Sequence, residues 1–311
     1  MDAKSNLKPV LKRLIPIVFY LLLVVFLALY LQSIDYSKLA DAKFHAGYFI
    51  AATALALGFR YWGGYIWTVL LRSLGAANVR MSRILIYIYA KSWLGRYIPG
   101  TAPWILGKIY FAAEQGISKN KLAVSSMLEG ALQIIVQLLL ALALLAFDPR
   151  LDIISYQMRL IILIAAASLV VVLIPQIFNR LMAAAYKLVK KKTFDREHYA
   201  SSRTIAKGFS LYVVGALISS LSLFFIAKTI YPELGYDQIF FVMGVGTLAG
   251  AVSMLAVFAP SGIGVREGIQ LALLSLIMPT EIAFAITVVT RLWSVAVDLL
   301  FFAISRLLYK K

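Results

Sequence analysis

The chain has no cysteine and very little histidine. None of its 311 residues is a cysteine, which excludes disulfides, thiol nucleophiles and cysteine-based metal sites. Its two histidines, His45 and His198, fall in loop or flanking stretches, and we expect both to be ordinary surface residues. No nucleotide-binding P-loop is present either, so we expect no nucleotide hydrolysis, no metal centre and no cofactor.

Charge is also scarce, and this absence determines the fold class. Only 14% of the residues are charged and 62% are hydrophobic, whereas an ordinary soluble domain is about a quarter charged. The apolar residues form successive blocks close to the ~20 residues that a helix needs to cross a bilayer. The net charge of +17 lies in short loops between these blocks, so we expect contact with anionic headgroups and not with nucleic acid.

The blocks predict an all-α polytopic membrane protein with six full transmembrane helices and two re-entrant helical hairpins. The six crossings are predicted near residues 14–33, 44–71, 122–147, 158–178, 208–230 and 281–305. Proline and glycine interrupt two further apolar stretches, 84–118 and 238–279, at Ile98-Pro99-Gly100 and at Ala259-Pro260-Ser261-Gly262-Ile263-Gly264. Since proline removes a backbone donor and clashes with the preceding turn, we expect a helix break at each site.

The distribution of basic residues orients the chain. If both interrupted stretches enter and leave the membrane on one side, the cytoplasmic segments hold 20 Lys or Arg and the outer segments hold 5. This bias follows the positive-inside rule, and it would be lost if either stretch crossed fully. We therefore expect a multi-pass protein of the cell membrane with both termini in the cytoplasm.

The order of elements repeats once along the chain. Residues 1–148 and 149–311 each read as two crossings, a hairpin and a third crossing, and the odd number of crossings inverts the second copy. Inverted repeats with broken helices are typical of transporters. Two opposed hairpins would meet near the midplane and line a cavity there. The alternative is a tilted helix pair with symmetry by chance.

Several charged residues fall at membrane depth, where an ionised group needs a partner or water. With the residues of the two breaks, they form the candidate substrate-binding set: Arg60, Arg96, Pro99, Gly100, Glu129, Pro260, Gly262, Gly264, Arg266, Glu267, Arg291 and Asp298. Arginine suits phosphate because its planar fork donates paired hydrogen bonds. The helix N-termini after the breaks would favour an anion as well. The alternative is that these charges only pair with one another and hold helices together.

Other residues receive less specific interpretations. Lys91, Lys108 and Lys228 are expected to snorkel to an interface. Residues Lys187 to Lys192 are expected to form an amphipathic cytoplasmic helix on anionic lipid. Trp67 and Trp293 are expected to anchor or pack crossing ends.

Two segments resemble a known family. Gly95-Arg96-Tyr97-Ile98-Pro99-Gly100, with Pro103-Trp104 and Ser125-Ser126-x-x-Glu129, resembles the first signature of the lysylphosphatidylglycerol synthase transmembrane region. Ala259-Pro260-Ser261-Gly262-Ile263-Gly264-Val265-Arg266-Glu267-Gly268 resembles its second signature. The resemblance covers about residues 10–308 and implies a domain similar to the flippase half of multiple peptide resistance factors. Those factors carry an aminoacyl-transferase domain, and this chain ends at Lys311 after its last crossing, so we expect no synthase activity from it alone.

These observations lead to two hypotheses. The first is a lipid flippase or transporter in which Arg96, Glu129, Arg266, Glu267 and Arg291 line the central cavity. The second is a non-transporting membrane subunit that recruits or regulates a lipid-modifying enzyme, such as a glycosyltransferase. An intramembrane enzyme is not expected, because no nucleophile–base pair or metal cluster lies at depth. Membrane lipids are the expected partners, an enzyme partner and an oligomer are possible, and the lipid itself stays open.

Overall fold

The protein is described by a computed structural model in which every regular element is helical. The described residues are 44–76, 78–97, 103–146, 148–151, 156–190, 199–256, 259 and 262–310. The predicted first crossing, 14–33, and the break residues Pro99, Gly100 and Pro260 lie outside them.

The described helices follow the predicted order of elements. They are α1 (Ala46–Ser73), α2 (Arg83–Trp93), α3 (Pro103–Ala113), α4 (Lys119–Leu145), α5 (Tyr156–Val172), α6 (Pro175–Lys190), α7 (Ser202–Ile230), α8 (Ile239–Leu255), α9 (Val265–Leu274) and α10 (Thr280–Lys310). Short 3-10 turns occupy Leu94–Tyr97, Pro149–Leu151 and Tyr236–Gln238.

Among the described helices, four are long and apolar enough to cross a membrane: α4, α7, α10, and α8 together with the turn before it. The bent pair of α5 and α6 counts as a fifth if it forms one span. The predicted all-helical membrane domain is therefore confirmed. Helix α1 is roughly 40 Å long at about 1.5 Å per residue, but Arg60 and its glycine and aromatic residues lower its hydropathy. Its crossing and the total of six stay predictions.

The two interrupted stretches each form a pair of separate helices that pack on each other. In the first, an added Cβ at Gly107 of α3 would lie 3.3 Å from Ser92 Cα of α2, and the Lys91 ammonium lies 3.7 Å from the Phe111 ring centroid. These contacts pack α3 against the carboxyl-terminal end of α2. Helices α3 and α9 span only roughly 15 Å each, about half of the hydrocarbon layer. Helix α8 is long enough to cross, so the second re-entrant hairpin stays a prediction.

The predicted crossing 158–178 is wrong at its carboxyl end. Helix α5 ends at Val172 and α6 begins at Pro175, with an 87° bend between them. Proline has no N–H to donate and a fixed φ, so it favours the first turn of a new helix over the interior of an old one.

Helix α6 contains the first part of the predicted amphipathic segment Lys187 to Lys192, whose residues 191 and 192 lie outside the described part of the chain. Phe178, Met182 and Tyr186 recur every four residues and are buried, whereas Arg180 and Leu188 are exposed. The helix therefore begins well before the predicted start at Lys187.

The helix packing corresponds between the two halves of the chain. Helix α1 packs along α7, α4 packs on α8, and α10 packs on α2. Within the halves, α2 with α3 matches α8 with α9, and α3 with α4 matches α9 with α10. Exchanging the halves maps the α1–α7 pair onto itself and converts each of the other pairs into another member of the set. The division into repeats 1–148 and 149–311 stays a prediction that this correspondence favours.

The contact between α4 and α8 depends on a glycine. A Cβ added at Gly244 would lie 2.6 Å from Leu145 Cγ and 3.2 Å from Leu144 Cβ. Gly58 of α1 is exposed and has nothing within 4 Å of the same construction. Small residues of this kind let membrane helices approach closely.

We expect Gly244→Ala to lower the thermal unfolding midpoint in detergent relative to Gly58→Ala. Both substitutions remove the same helix-propensity cost of about 1 kcal/mol, so their difference isolates the clash at Leu145. Equal midpoints would contradict the close α4–α8 contact.

Candidate functional site

A buried carboxylate, Asp298 of α10, connects the two halves of the chain. It has no exposed surface. The Arg60 guanidinium of α1 donates through Nε to Oδ1 at 2.9 Å, and its Nη2 lies 2.9 Å from the same oxygen. Arg96, in the turn after α2, lies 2.7 Å from Oδ2 through Nη2. The Tyr97 hydroxyl donates to Oδ2 at 2.5 Å, and the Trp93 indole donates to Oδ1 at 3.1 Å.

This Asp298 cluster carries a net positive charge. Two arginines share one carboxylate, and removing that carboxylate would leave the buried Arg60 and the partly exposed Arg96 without a described counter-ion. The Arg96 guanidinium also lies 4.7 Å from the Trp93 ring centroid, a distance suited to a cation–π contact. The cluster thus fixes the first interrupted stretch to the last helix of the chain.

A cavity of about 320 Å³ lies beside the Asp298 cluster and is lined by residues from both halves. Its cationic lining consists of Arg60, Arg96 and Arg266, and its uncharged polar lining consists of Gln133, Gln137, Ser219, Ser222, Ser253, Thr290 and Ser294. Phe59, Trp93, Trp104, Ile134, Leu223 and Trp293 are among its apolar walls. No carboxylate is among the described lining residues, so the cavity is suited to an anion.

Several buried polar atoms of the cavity lining have no hydrogen-bond partner. They are Arg96 Nε, Arg266 Nε, Gln137 Oε1 and Thr290 Oγ1. Arg266 also makes no ion pair with another described residue. Buried polar groups in native proteins are nearly always paired, so unpaired atoms around one space point to a ligand or water.

Glycine determines the backbone at the second break. A Cβ at Gly262 would lie 2.3 Å from Ser253 Cβ and 3.1 Å from its Cα, and φ is +67°. Gly264 has φ +85°, and its N–H donates to Glu267 Oε2 at 2.7 Å. Gly262 is one of the residues that line the cavity. The N–H of Gly264 already donates to Glu267, so it is unavailable to a ligand.

Two predicted site residues form an ion pair outside the described cavity lining. Arg291 Nη1 lies 3.5 Å from Glu267 Oε1, which joins α9 to α10. The Arg291 guanidinium also lies 5.9 Å from the Tyr97 ring centroid, so this pair borders the Asp298 cluster.

Glu129 is not among the described lining residues of the cavity. Its partner is Lys108, which the sequence analysis placed at a membrane interface. The Lys108 ammonium forms a salt bridge with Glu129 Oε2, and the Tyr89 hydroxyl donates to Oε1 at 3.2 Å. Lys108 and Glu129 are each 1% exposed. The prediction that Lys108 snorkels to an interface is therefore wrong, and Trp104 covers its ammonium at 4.1 Å.

The Lys108–Glu129 pair corresponds to the Glu267–Arg291 pair with the signs exchanged. Each pair joins the short helix after a break, α3 or α9, to the long helix that follows it, α4 or α10. The sequence could have indicated this correspondence, because Lys108 and Glu267 are both charged residues that follow shortly after a break.

Other expectations have mixed outcomes. Lys228 is 4% exposed and donates to the carbonyls of Pro232 and Leu234, so its snorkelling prediction is also wrong. Trp67 and Trp293 are buried packing residues.

Comparison with known proteins gives one family. The family model described as the lysylphosphatidylglycerol synthase TM region matches residues 13–301. The chain belongs to this family. No curated protein and no solved structure matches the chain.

The lysylphosphatidylglycerol synthase TM-region match covers both breaks, the Asp298 cluster and all the described cavity residues. Membership makes the chain a multi-pass membrane domain of a family linked to lipid modification or flipping. In this member of the family, the described residues form a cavity lined by three arginines and by no carboxylate.

The Lys108–Glu129 pair allows a test of structural coupling. Lys108→Met would leave the Glu129 carboxylate buried without its counter-ion, a loss of roughly 3–5 kcal/mol. Adding Glu129→Gln removes the stranded charge and keeps an acceptor for Tyr89, so we expect the double variant to recover most of that loss. Thermal unfolding in detergent measures both. A double variant as unstable as the sum of its singles would contradict the pairing.

Proposed function

We propose that this protein is a lipid flippase or transporter. It would move the headgroup of a phospholipid or a lipid-linked phosphate through the cavity between its two halves. The observation that carries the proposal is a cavity whose described lining has three arginines, no carboxylate and several unpaired buried polar atoms. Family membership is consistent with this role.

The size and position of the cavity favour a headgroup as the ligand. About 320 Å³ is near the lower end of small-molecule pockets and suffices for a polar headgroup but not for two acyl chains. The tails would stay in the bilayer while the headgroup occupies the cavity. Arg96 and Arg266 come from different halves, so one phosphate could bridge them.

The proposed architecture is six crossings and two opposed re-entrant hairpins in an inverted repeat. The correspondence of helix packing between the halves supports it, as do the two short helices α3 and α9. Rocking of one half against the other would expose the cavity to each side in turn.

Passive exchange is the mode of transport that we favour. The deep carboxylates Glu129, Glu267 and Asp298 are each engaged in a described ion pair, so none is a free proton carrier in this state. The chain would work in the cell membrane with both termini in the cytoplasm, as the basic residues predict. We propose no catalytic reaction for it.

Scrambling in proteoliposomes tests the proposal. The wild type should move tail-labelled fluorescent phospholipids with anionic headgroups between leaflets. We expect Arg266→Gln to slow this movement roughly tenfold or more, because a charge-assisted hydrogen bond to phosphate contributes about 1.5–3 kcal/mol.

The matched control is Arg306→Gln, which removes an arginine that is exposed on α10. It should move lipid at the wild-type rate. Wild-type protein that moves no lipid, polyprenyl phosphates included, would contradict the proposal. The alternative of a subunit that recruits a lipid-modifying enzyme would then be tested by affinity purification.

A further inference from the structure

The cavity has a cationic end with spare hydrogen-bond donors. Arg266 makes no ion pair with another described residue, and its Nε is buried without a partner. Arg96 gives Nη2 to Asp298, while its Nε is also buried and unpaired. A phosphate is the anion whose several oxygens match two such guanidinium groups.

The rest of the polar lining is uncharged. Gln137 is 8% exposed and Thr290 is 2% exposed, and Gln137 Oε1 and Thr290 Oγ1 have no hydrogen-bond partner. Ser219 and Ser222 line the same cavity. An amide oxygen and a hydroxyl left unpaired in a buried wall are suited to neutral hydroxyl groups of a ligand.

The described lining offers no carboxylate as a counter-ion for an ammonium group. Asp298 accepts from two arginines, and Glu267 is bound by Arg291 and by a backbone N–H. Glu129 forms a salt bridge with Lys108. In the sequence, the segments 98–102, 257–258 and 260–261 contain no acidic residue. An ammonium brought to the arginines would lose its hydration without gaining a counter-ion.

We infer that the cavity selects a headgroup with one phosphate and an uncharged, hydroxylated remainder, of the phosphoglycerol kind, over headgroups that carry an amine. This inference rests on the proposed function, and it names the substrate class. The aminoacylated lipid in the family's name would be disfavoured, because its amino groups would face three arginines.

Binding in detergent tests the inference without requiring transport. The probes are dihexanoyl forms of phosphatidylglycerol, phosphatidylethanolamine and lysylphosphatidylglycerol, together with a short prenyl phosphate, deacylated glycerophosphoglycerol and inorganic phosphate. The readout is the shift of the thermal unfolding midpoint with ligand concentration. We expect phosphatidylglycerol to bind at least tenfold more tightly than either amine-bearing lipid and more tightly than the prenyl phosphate.

The deacylated probe separates a lipid headgroup from a free phosphate ester as the source of the chemistry. Glycerophosphoglycerol should bind more weakly than phosphatidylglycerol but more tightly than inorganic phosphate. Inorganic phosphate as effective as phosphatidylglycerol would overturn recognition of the remainder. Amine-bearing lipids that bind equally or more tightly would overturn the whole inference.

Two variants test the neutral wall specifically. Thr290→Val keeps the side-chain shape, and Gln137→Met keeps nearly the same length. Neither unpaired oxygen stabilises the ligand-free fold, so the unfolding midpoint without ligand should not fall. Each variant should lower the affinity for phosphatidylglycerol about fivefold, which is the effect of losing one neutral hydrogen bond. The affinity for inorganic phosphate should not change. Unchanged phosphatidylglycerol affinity in both would overturn the inference.

Failure of this inference differs from failure of the proposed function. If the protein binds phosphatidylglycerol with this pattern but moves no lipid, the selectivity inference stands and the transport proposal fails. If the protein binds phosphatidylglycerol and its lysyl form equally tightly and moves them at equal rates, the selectivity inference fails and the transport proposal stands.

Discussion

In the proposed topology, covering the interrupted helices at membrane depth is the constraint on which the rest of this structure depends. Backbone that leaves a helix inside a bilayer must be enclosed by protein or line a wet cavity. Here the short helices α3 and α9 lie beside their own partners and against the long helices α4 and α10. Ion pairs fix both contacts, Lys108 to Glu129 in the first half and Glu267 to Arg291 in the second.

Enclosing the breaks also creates the candidate site. Asp298 holds Arg96 and Arg60 in place, and the same arginines line the cavity. The second half contributes Arg266 without a matching acid, so the positive charge of the cavity is not cancelled. A structure in which every deep charge were paired would favour a purely structural role. Arg266 makes no ion pair with another described residue and its Nε is buried without a hydrogen-bond partner, which favours a ligand.

The sequence predicted the elements better than their partners. Proline and glycine located both breaks, and hydropathy located the long helices. Lys108 was misassigned, because an isolated lysine near the end of an apolar stretch has the same appearance whether it reaches the interface or a carboxylate. Pairing depends on which helices pack together, and one sequence does not give that. Likewise, Pro175 is compatible with a kink in one helix or with the start of another, and packing decides between them.

The central claim is that the two interrupted stretches enter the membrane from opposite sides, and the absence of cysteine makes it directly measurable. Single cysteines at Asn78 and Asn120 flank the first stretch, and those at Glu233 and Thr280 flank the second; all four positions are exposed. A membrane-impermeant maleimide applied to intact cells should label only Glu233→Cys and Thr280→Cys. The Asn78→Cys and Asn120→Cys variants should react only after the membrane is opened. Labelling of one flank but not the other, at either stretch, would mean that the stretch crosses fully and would contradict the inverted pair of hairpins.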